Sequence, residues 1–393
     1  MFSLLSKSKK IAGRLIALFA VLWLAACQDI TLGGGGGGPS INTRAPVPVA
    51  LLVPGGSSSS SDNLLAQNLV NAARMAIADL DGVKVDLRVY NTAGNPDQAA
   101  NVARQAVDEG AKIILGPLYA EAANAAGVAV AGRNVNVLAF SNNPQIAGGN
   151  VFILGYTFQN TANRLVSYAK RQGRGNIAVV HARNTAGQLG RDAILRAISN
   201  NGATQAGVAS YDFSQDGIIN AVPTIASTIR SSGANAVFFT ADTAGGLPLL
   251  TQMLPESGIK PDTIKFIGLT RWDIPPATLA LPGVQGAWFA RPDPGMTSRF
   301  NSRYSAAFGG APHAIASLSY DGIAAIGALV KGGKSNALTK AALTQGAGFI
   351  GANGIFRLRA DGTSQRGMAV MQIQNQQAVV VDAAPRSFGG AGF

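Results

Sequence analysis

Cysteine is almost absent from this chain, with Cys27 the only one in 393 residues. A disulfide needs two thiols and a thiolate metal site several, so neither is expected to hold the fold together. Histidine is nearly as scarce, represented by His181 and His313 alone. His181 closes an apolar run and His313 follows Pro312 at a helix start, so both read as structural, and two histidines do not make a zinc site. No G-x-S-x-G motif surrounds the serines at 57–61, which therefore read as loop rather than nucleophile. The stretch "GGKS" at 332–335 has Ala328 where a phosphate-binding loop needs its first glycine, and a helical pattern precedes it. Catalysis, a resident metal and a bound cofactor are accordingly not expected. Charged residues are sparse at 13%, yet biased to a formal +12. Outside the first residues, no Lys/Arg run is interleaved with aromatics, so nucleic acid is not an expected partner.

What the chain does carry begins at its N-terminus. Lys7, Lys9, Lys10 and Arg14 precede an apolar run of about ten residues, 15 to 24, which has the length of a secretory leader and is too short to span a bilayer. The tetrapeptide Leu24-Ala25-Ala26-Cys27 that follows resembles the lipobox of bacterial lipoproteins. That resemblance implies cleavage before Cys27, a thioether-linked diacylglycerol on its sulfur and an acylated new N-terminus. It also gives the lone thiol a use and the protein a stable membrane anchor. Gln28 stands where an inner-membrane retention signal would carry Asp, so a periplasmic position on the outer membrane is favoured over the inner. Gly33 to Gly38 then form a tether without apolar side chains or charge. As Gly-rich coil, residues 28–46 reach roughly 25 Å. Removing residues 1–26 lowers the formal charge from +12 to +8, so anionic lipid, an acidic wall polymer or an acidic protein patch would suit the remaining body.

Beyond the tether, strand and helix patterns alternate. "PVALLV" reads as a strand, then Ser61 or Asp62 caps a helix with apolar Leu65, Leu69, Ala73, Ala76, Ile77 and Leu80 at spacings of three and four. "VKVDLRVYN" alternates as a strand, and Asn95-Pro96-Asp97-Gln98 starts the next helix. Strands at 112–116 and 135–139 flank a helix at about 119–131. A second round repeats the pattern through "NIAVVHARN", "TQAGVAS", "ANAVFFT" and "IKFIGLT", with helices over 187–200, 216–232 and 245–257. Later come "VQGAWFA", helices near 297–308 and 313–331, and two alternating strands, "GIFRLRADG" and "GMAVMQIQNQQAVVV", which are expected to attach to an existing sheet edge. The alternation predicts an α/β fold of two doubly wound lobes.

These segments, taken with "NTAGNPDQAANVARQAVDEGAKIILGPL", "VNVLAFSNNP" and "RGNIAVVHARNTAGQLGRDAILRAISNNGA", resemble type I periplasmic binding proteins of the leucine/isoleucine/valine-binding class over about residues 46 to 383. The resemblance implies three crossovers between the lobes and a ligand gripped in the cleft. It divides the chain into a signal peptide at 1–26, the lipidated cysteine and tether at 27–46, lobe 1 at 47–155 plus 285–345, lobe 2 at 156–284 plus 346–383, and a disordered tail at 384–393. "ILGPLYAEAANAAG", "VFILGYTFQNTANRLVSYAKRQG" and "GANGIFRLRADG" also look like the C-terminal domain of outer-membrane lipoproteins that activate bifunctional penicillin-binding proteins. Two functions follow from the resemblance: activation of a cell-wall synthase by contact, taken as the leading expectation, and alternatively capture of an amino acid or related small polar ligand for an ABC permease.

Ligands of open α/β sheets bind beyond the carboxyl ends of the strands, which nominates Ser57, Ser58, Tyr119, Ala120, Ser141, Asn142 and Asn143 on lobe 1. On lobe 2 the same rule gives Asn184, Thr185, Asp242, Thr243, Thr270, Arg271 and Trp272. Against the amino-acid binders, Ala120 stands where a carboxylate-binding Ser is expected and Ala186 where a Tyr is. Arg271 lies near the position of the acid that pairs a ligand's ammonium, leaving Asp242 or Asp273 as substitutes. Arg271 and Trp272 together read as a candidate anchor for an anionic ligand or a protein partner.

Overall fold

A computed structural model describes residues 38–389; Cys27 and most of the tether lie outside them. The first strand, β1 (Val47–Val53), is buried along nearly its whole length. It sits between β2 (Val85–Asn91) and β3 (Ile113–Leu115) in a parallel sheet ordered β2-β1-β3-β4-β5, completed by β4 (Asn136–Ala139) and β5 (Val151–Ile153). Helices α1 (Ser60–Ala78), α2 (Pro96–Asp108) and α3 (Ala120–Val130) connect its strands. The start of α2 is as the sequence predicts: Asn95 caps it by accepting from the Gln98 amide at 2.9 Å, and Pro96 opens the first turn. The cap of α1 is instead Ser59, whose hydroxyl accepts from the Asp62 amide. Asp62 therefore sits one turn inside the helix, where its carboxylate takes the Tyr119 hydroxyl at 2.6 Å.

A second sheet is ordered β15-β14-β10-β9-β8-β6-β7. Its parallel members are β6 (Asn176–Ala182), β7 (Thr204–Tyr211), β8 (Ala236–Phe239), β9 (Lys265–Gly268) and β10 (Trp288–Arg291), and antiparallel β14 (Ala369–Gln374) and β15 (Gln377–Asp382) extend it. Helices α4 (Phe158–Arg171), α5 (Thr185–Asn200), α6 (Gln215–Ser231) and α7 (Leu247–Glu256) cover it. Each sheet has an apolar core on both faces, as parallel sheets require.

The later segments divide differently from the sequence expectation. Residues 285–345 were expected with the first lobe, yet β10 pairs in parallel with β9 and belongs to the second sheet. Buried Trp288, Phe289 and Ala290 fill both faces there. Residues 346–383 were expected with the second lobe, but β11 (Phe349–Gly351), β12 (Gly354–Leu358) and β13 (Ser364–Arg366) form a separate antiparallel sheet. Phe349, Phe356 and Leu358 bury themselves in the first lobe's core, beside α1 and α9 (Ser317–Lys331). Only β14 and β15 attach to an existing edge, that of β10. The chain consequently passes between lobes near residues 154–157, 292–293 and 367–368. Helix α8 (Pro294–Phe308) packs through Phe300 and Tyr304 on Ala72 and Met75 of α1, and a short helix α10 (Lys340–Leu343) precedes β11.

Candidate functional site

The carboxyl ends of β3, β4, β9 and β10 open onto a cavity of about 760 Å³ between the lobes. The first lobe contributes Tyr119 and Ala120 at the start of α3, and Ser141, Asn142 and Asn143 after β4; the second contributes Thr270 and Arg271 after β9. The structure thus brings together seven of the residues nominated from sequence. Apolar walls come from Phe140, Tyr156, Leu269, Phe300, Ile315 and Met368.

The other nominees do other work. Ser57 and Ser58 lie in a loop closed on itself: the Ser57 hydroxyl accepts from the Ser59 amide, and Asn63 Nδ2 donates to the Ser57 carbonyl at 2.7 Å. Asn184 caps α5, accepting from the Gly187 amide at 2.7 Å, and Thr185 is that helix's first residue. Asp242 is exposed outside the cavity. Thr243 braces the cavity wall from behind, donating its hydroxyl to the Ile274 carbonyl at 2.7 Å. Trp272, nominated as an anchor, is wholly buried in the second lobe's core beside Phe239. Neither histidine lines the cavity. His181 is buried with Nδ1 3.0 Å from the Ala182 carbonyl oxygen, and burial holds its pKa below the ordinary value; His313 caps the short helical turn at 314–316. Among the described residues, no group of three or more His, Cys, Asp or Glu side chains is placed to hold a metal ion.

The cavity's electrostatics depend on a residue that the sequence reading missed. Arg291, at the carboxyl end of β10, shares the Asp273 carboxylate with Arg271. Arg291 Nη1 lies 3.0 Å from Oδ2, while Arg271 Nη2 lies 2.7 Å from the same oxygen. The Asp273 side chain is only 7% exposed, so it is committed to these two cations and cannot serve as a free partner for a ligand's ammonium. No Asp or Glu lines the cavity among the described residues. Two guanidinium groups face one carboxylate, and the surplus is positive. Arg291 Nε is buried without a hydrogen-bond partner, as are Thr297 Oγ1 and Asn353 Oδ1 in the same lining. Burial, reinforced by the charge of Arg271, pushes the Arg291 pKa below its ordinary value. A buried donor on a cation left without an acceptor costs stability, so a ligand oxygen entering here would relieve that cost. The missed signal was the strand "AWFAR": once it is placed in the second sheet, its last residue falls at the cavity by the same carboxyl-end rule.

Comparison with known proteins agrees with the fold. A periplasmic binding protein family profile matches residues 46–378. No curated protein sequence matches the chain. Among solved structures, one named for a branched-chain amino acid ABC transporter from Rhodospirillum rubrum superposes with a TM-score of 0.72 at 16% identity, covering 86% of this chain and 100% of the other. An ABC transporter substrate-binding protein from Desulfitobacterium hafniense, in complex with Leu, gives 0.61 at 16% identity, over 86% and 100%. A solute-binding protein of an ABC transporter from R. palustris, in complex with benzoate, gives 0.54 at 16% identity, over 88% and 99%. At these identities the neighbours establish the fold, and the profile, spanning most of the sequence, establishes that the chain belongs to the periplasmic binding protein family.

Proposed function

We propose that the protein is a periplasmic solute-binding component of an ABC importer, which captures a small carboxylate with an apolar body in the cleft between its lobes. The observation that carries this reading is Arg291, a half-buried cation whose Nε is buried and unpartnered, in the lining of a 760 Å³ cavity. A ligand carboxylate there would accept from Arg291 and Arg271, and the apolar walls would cover the rest of the molecule. Leucine and benzoate, bound by two of the structural neighbours, both pair a carboxylate with an apolar body. The acid-free lining favours the second type, because an amino acid's ammonium would find no carboxylate partner there. We further propose that Cys27 carries the acyl anchor and that the partner is the importer's permease.

For regulation of a penicillin-binding protein, Arg271 and Trp272 were the candidate contact anchor. Trp272 is 0% exposed and Arg271 is ion-paired with Asp273, so that candidate anchor is not available as a pair, and the structural neighbours are named for ABC transporters. Calorimetric titration of the purified protein with benzoate and with leucine tests solute capture. Binding of benzoate, with leucine weaker, is the expected result; absence of binding by either and by other small carboxylates would return the question to protein contact.

A further inference from the structure

The cleft has a counterpart behind the hinge. A second cavity, of about 340 Å³, is lined by Arg196 and Asn200 of α5, by part of α4, and by residues 359, 361 and 363 to 366 around the turn between β12 and β13. Helix α4 separates it from the cleft. Phe158 and Thr161 line the cleft, whereas Gln159, Asn160, Asn163 and Arg164 line the rear cavity. At 100° per residue these sets occupy nearly opposite faces of one helix. The crossovers separate the cavities in the same way: Thr157 lines both, Ser364 to Arg366 line the rear, and Met368 lines the cleft.

The rear walls belong to different lobes. Arg196 stands on α5 of the second lobe. Arg359 stands beside the β12–β13 turn, which is fixed to the first lobe where the Ile153 amide donates to the Gly362 carbonyl at 2.9 Å. Four arginines and one acid line the cavity. Two of the arginines are committed elsewhere: Arg164 pairs with Asp382 and Arg366 with Asp321. The hydrogen bonds of the other two go to neutral amide oxygens, Arg196 Nε to Gln159 Oε1 at 2.9 Å and Arg359 Nη2 to Gln365 Oε1 at 3.1 Å. Against their two charges stands Asp361, whose Oδ1 is occupied by the Thr363 amide and hydroxyl at 2.9 and 2.6 Å. Ser364 Oγ, in the same lining, is buried and unpartnered. Nothing in the cleft reading uses any of these groups.

We propose that this rear cavity binds a small oxyanion, carboxylate or phosphate, held between Arg196 of one lobe and Arg359 of the other, and that its occupation opposes closure of the cleft. The second half follows from leverage. The crossover strands lie between the cavities, so rotation that closes the front separates Arg196 from Arg359 at the rear. An anion bridging them holds the rear together and favours the open form, and by linkage a cleft ligand that favours closure weakens the anion to the same degree. Binding of the anion is independent of the proposed function; the effect on ligand affinity rests on it.

Inorganic phosphate and malonate serve as probes, with sodium chloride at matched ionic strength as the control. Each should raise the melting temperature of the purified protein by a few degrees at saturating concentration. The rise should vanish in Arg196→Gln/Arg359→Gln and persist in Arg271→Gln, which alters only the cleft. Because Arg196 and Arg359 are exposed, the double variant should melt without anion within about 1 °C of the parent. No shift, a shift matched by chloride, or one retained by the double variant overturns the site. Hinge coupling is read from spin labels on Ser58→Cys and Ala186→Cys in a Cys27→Ala background. Phosphate should shift their distance distribution to longer values in the parent and not in the double variant. An unchanged or shorter distance overturns the coupling, whether or not the cleft binds benzoate. If the cleft does bind, phosphate should raise the benzoate Kd at least threefold.

Discussion

Asp321 on α9 and Arg366 on β13 form an ion pair at 2.7 Å, with side chains 0% and 2% exposed. Arg366 also donates from Nε to the Leu154 carbonyl at 2.7 Å, and its guanidinium lies 4.4 Å from the Tyr156 ring centroid. Leu154 and Tyr156 belong to the first crossover and Arg366 adjoins the third. One cation therefore clamps two hinge segments to the first lobe.

Breaking that pair from one side should be costly. Asp321→Asn leaves Arg366 buried without its counter-charge, and a loss of about 3–5 kcal/mol is expected. Replacing both, as Asp321→Asn with Arg366→Met, removes the stranded charge and should recover part of that loss. Urea unfolding of the two variants checks the order; a double variant less stable than Asp321→Asn contradicts it.

Trp272 makes a second prediction. Gly268, the last residue of β9, faces the indole so closely that any β-carbon there would overlap the ring. Trp272→Ala should cost about 3–5 kcal/mol as a core truncation, measured by denaturation, where an exposed anchor would leave stability unchanged. Trp272→Phe should cost less, because it also removes an indole N–H that has no partner among the described residues.

The contrast between Trp272 and the helix starts marks what the sequence could disclose. Asn95-Pro96 announces α2 because capping chemistry is local, and the alternation of apolar runs announces two lobes because each parallel strand must be buried on both faces. The direction in which Trp272 points is set by a glycine four residues earlier and by a neighbouring strand, neither of which periodicity encodes. Membership of β10 was hidden for a similar reason. "AWFA" suits any buried strand, and only its pairing with β9 selects the lobe. With that pairing lost, Arg291 was lost too, while Arg271 was found because its strand fitted the repeating pattern.

Asp79 gives a pH dependence. Its carboxylate accepts from Arg303 Nη2 at 2.6 Å and from the Tyr320 hydroxyl at 2.6 Å, joining α8 and α9 to the end of α1. Burial alone would raise its pKa, but the two donors outweigh it and hold the group below the ordinary carboxylate value; burial and the same bond push Tyr320 up to about 12. A depressed acid stabilises the fold above its unfolded-state pKa and loses that contribution as pH falls through the folded value. Asp79→Asn should therefore cost about 1 kcal/mol near pH 7, discounted for partial exposure. The gap should be constant down to about pH 5 and narrow below about pH 4. Thermal melts of both proteins across that range test the sign.

Cys27→Ala should release the protein from membranes without changing its melting temperature, because a Gly-rich segment separates the cysteine from the folded body. Fractionation of the unaltered protein also bears on the function. With the proposed lipid on Cys27, residues 28–46 as Gly-rich coil would reach roughly 25 Å and hold the body close to the membrane that carries it. Delivery to a permease therefore requires recovery with the inner membrane, whereas recovery with the outer would count against the importer role.

The last prediction concerns the cleft cations, which are not equivalent. Arg271 is about one-third exposed and turned onto Asp273 through two nitrogens, whereas Arg291 is more buried, touches Asp273 through Nη1 and keeps an unpartnered Nε. A carboxylate ligand should gain most from the cation whose hydrogen-bonding capacity is unspent and whose surroundings exclude water. Arg291→Gln should thus weaken benzoate about ten- to a hundredfold, the equivalent of about 1.5–3 kcal/mol for a charged hydrogen bond. Arg271→Gln should weaken it by less, since Asp273 would still hold Arg291 in place. Unliganded melting temperatures separate binding from folding: in Arg291→Gln, Asp273 retains both of its contacts to Arg271, so the loss of stability should be small beside the loss of affinity. Calorimetry in which Arg291→Gln binds benzoate like the parent, with Arg271→Gln the weaker variant, would move the carboxylate to the outer cation and leave the buried Nε without a ligand role.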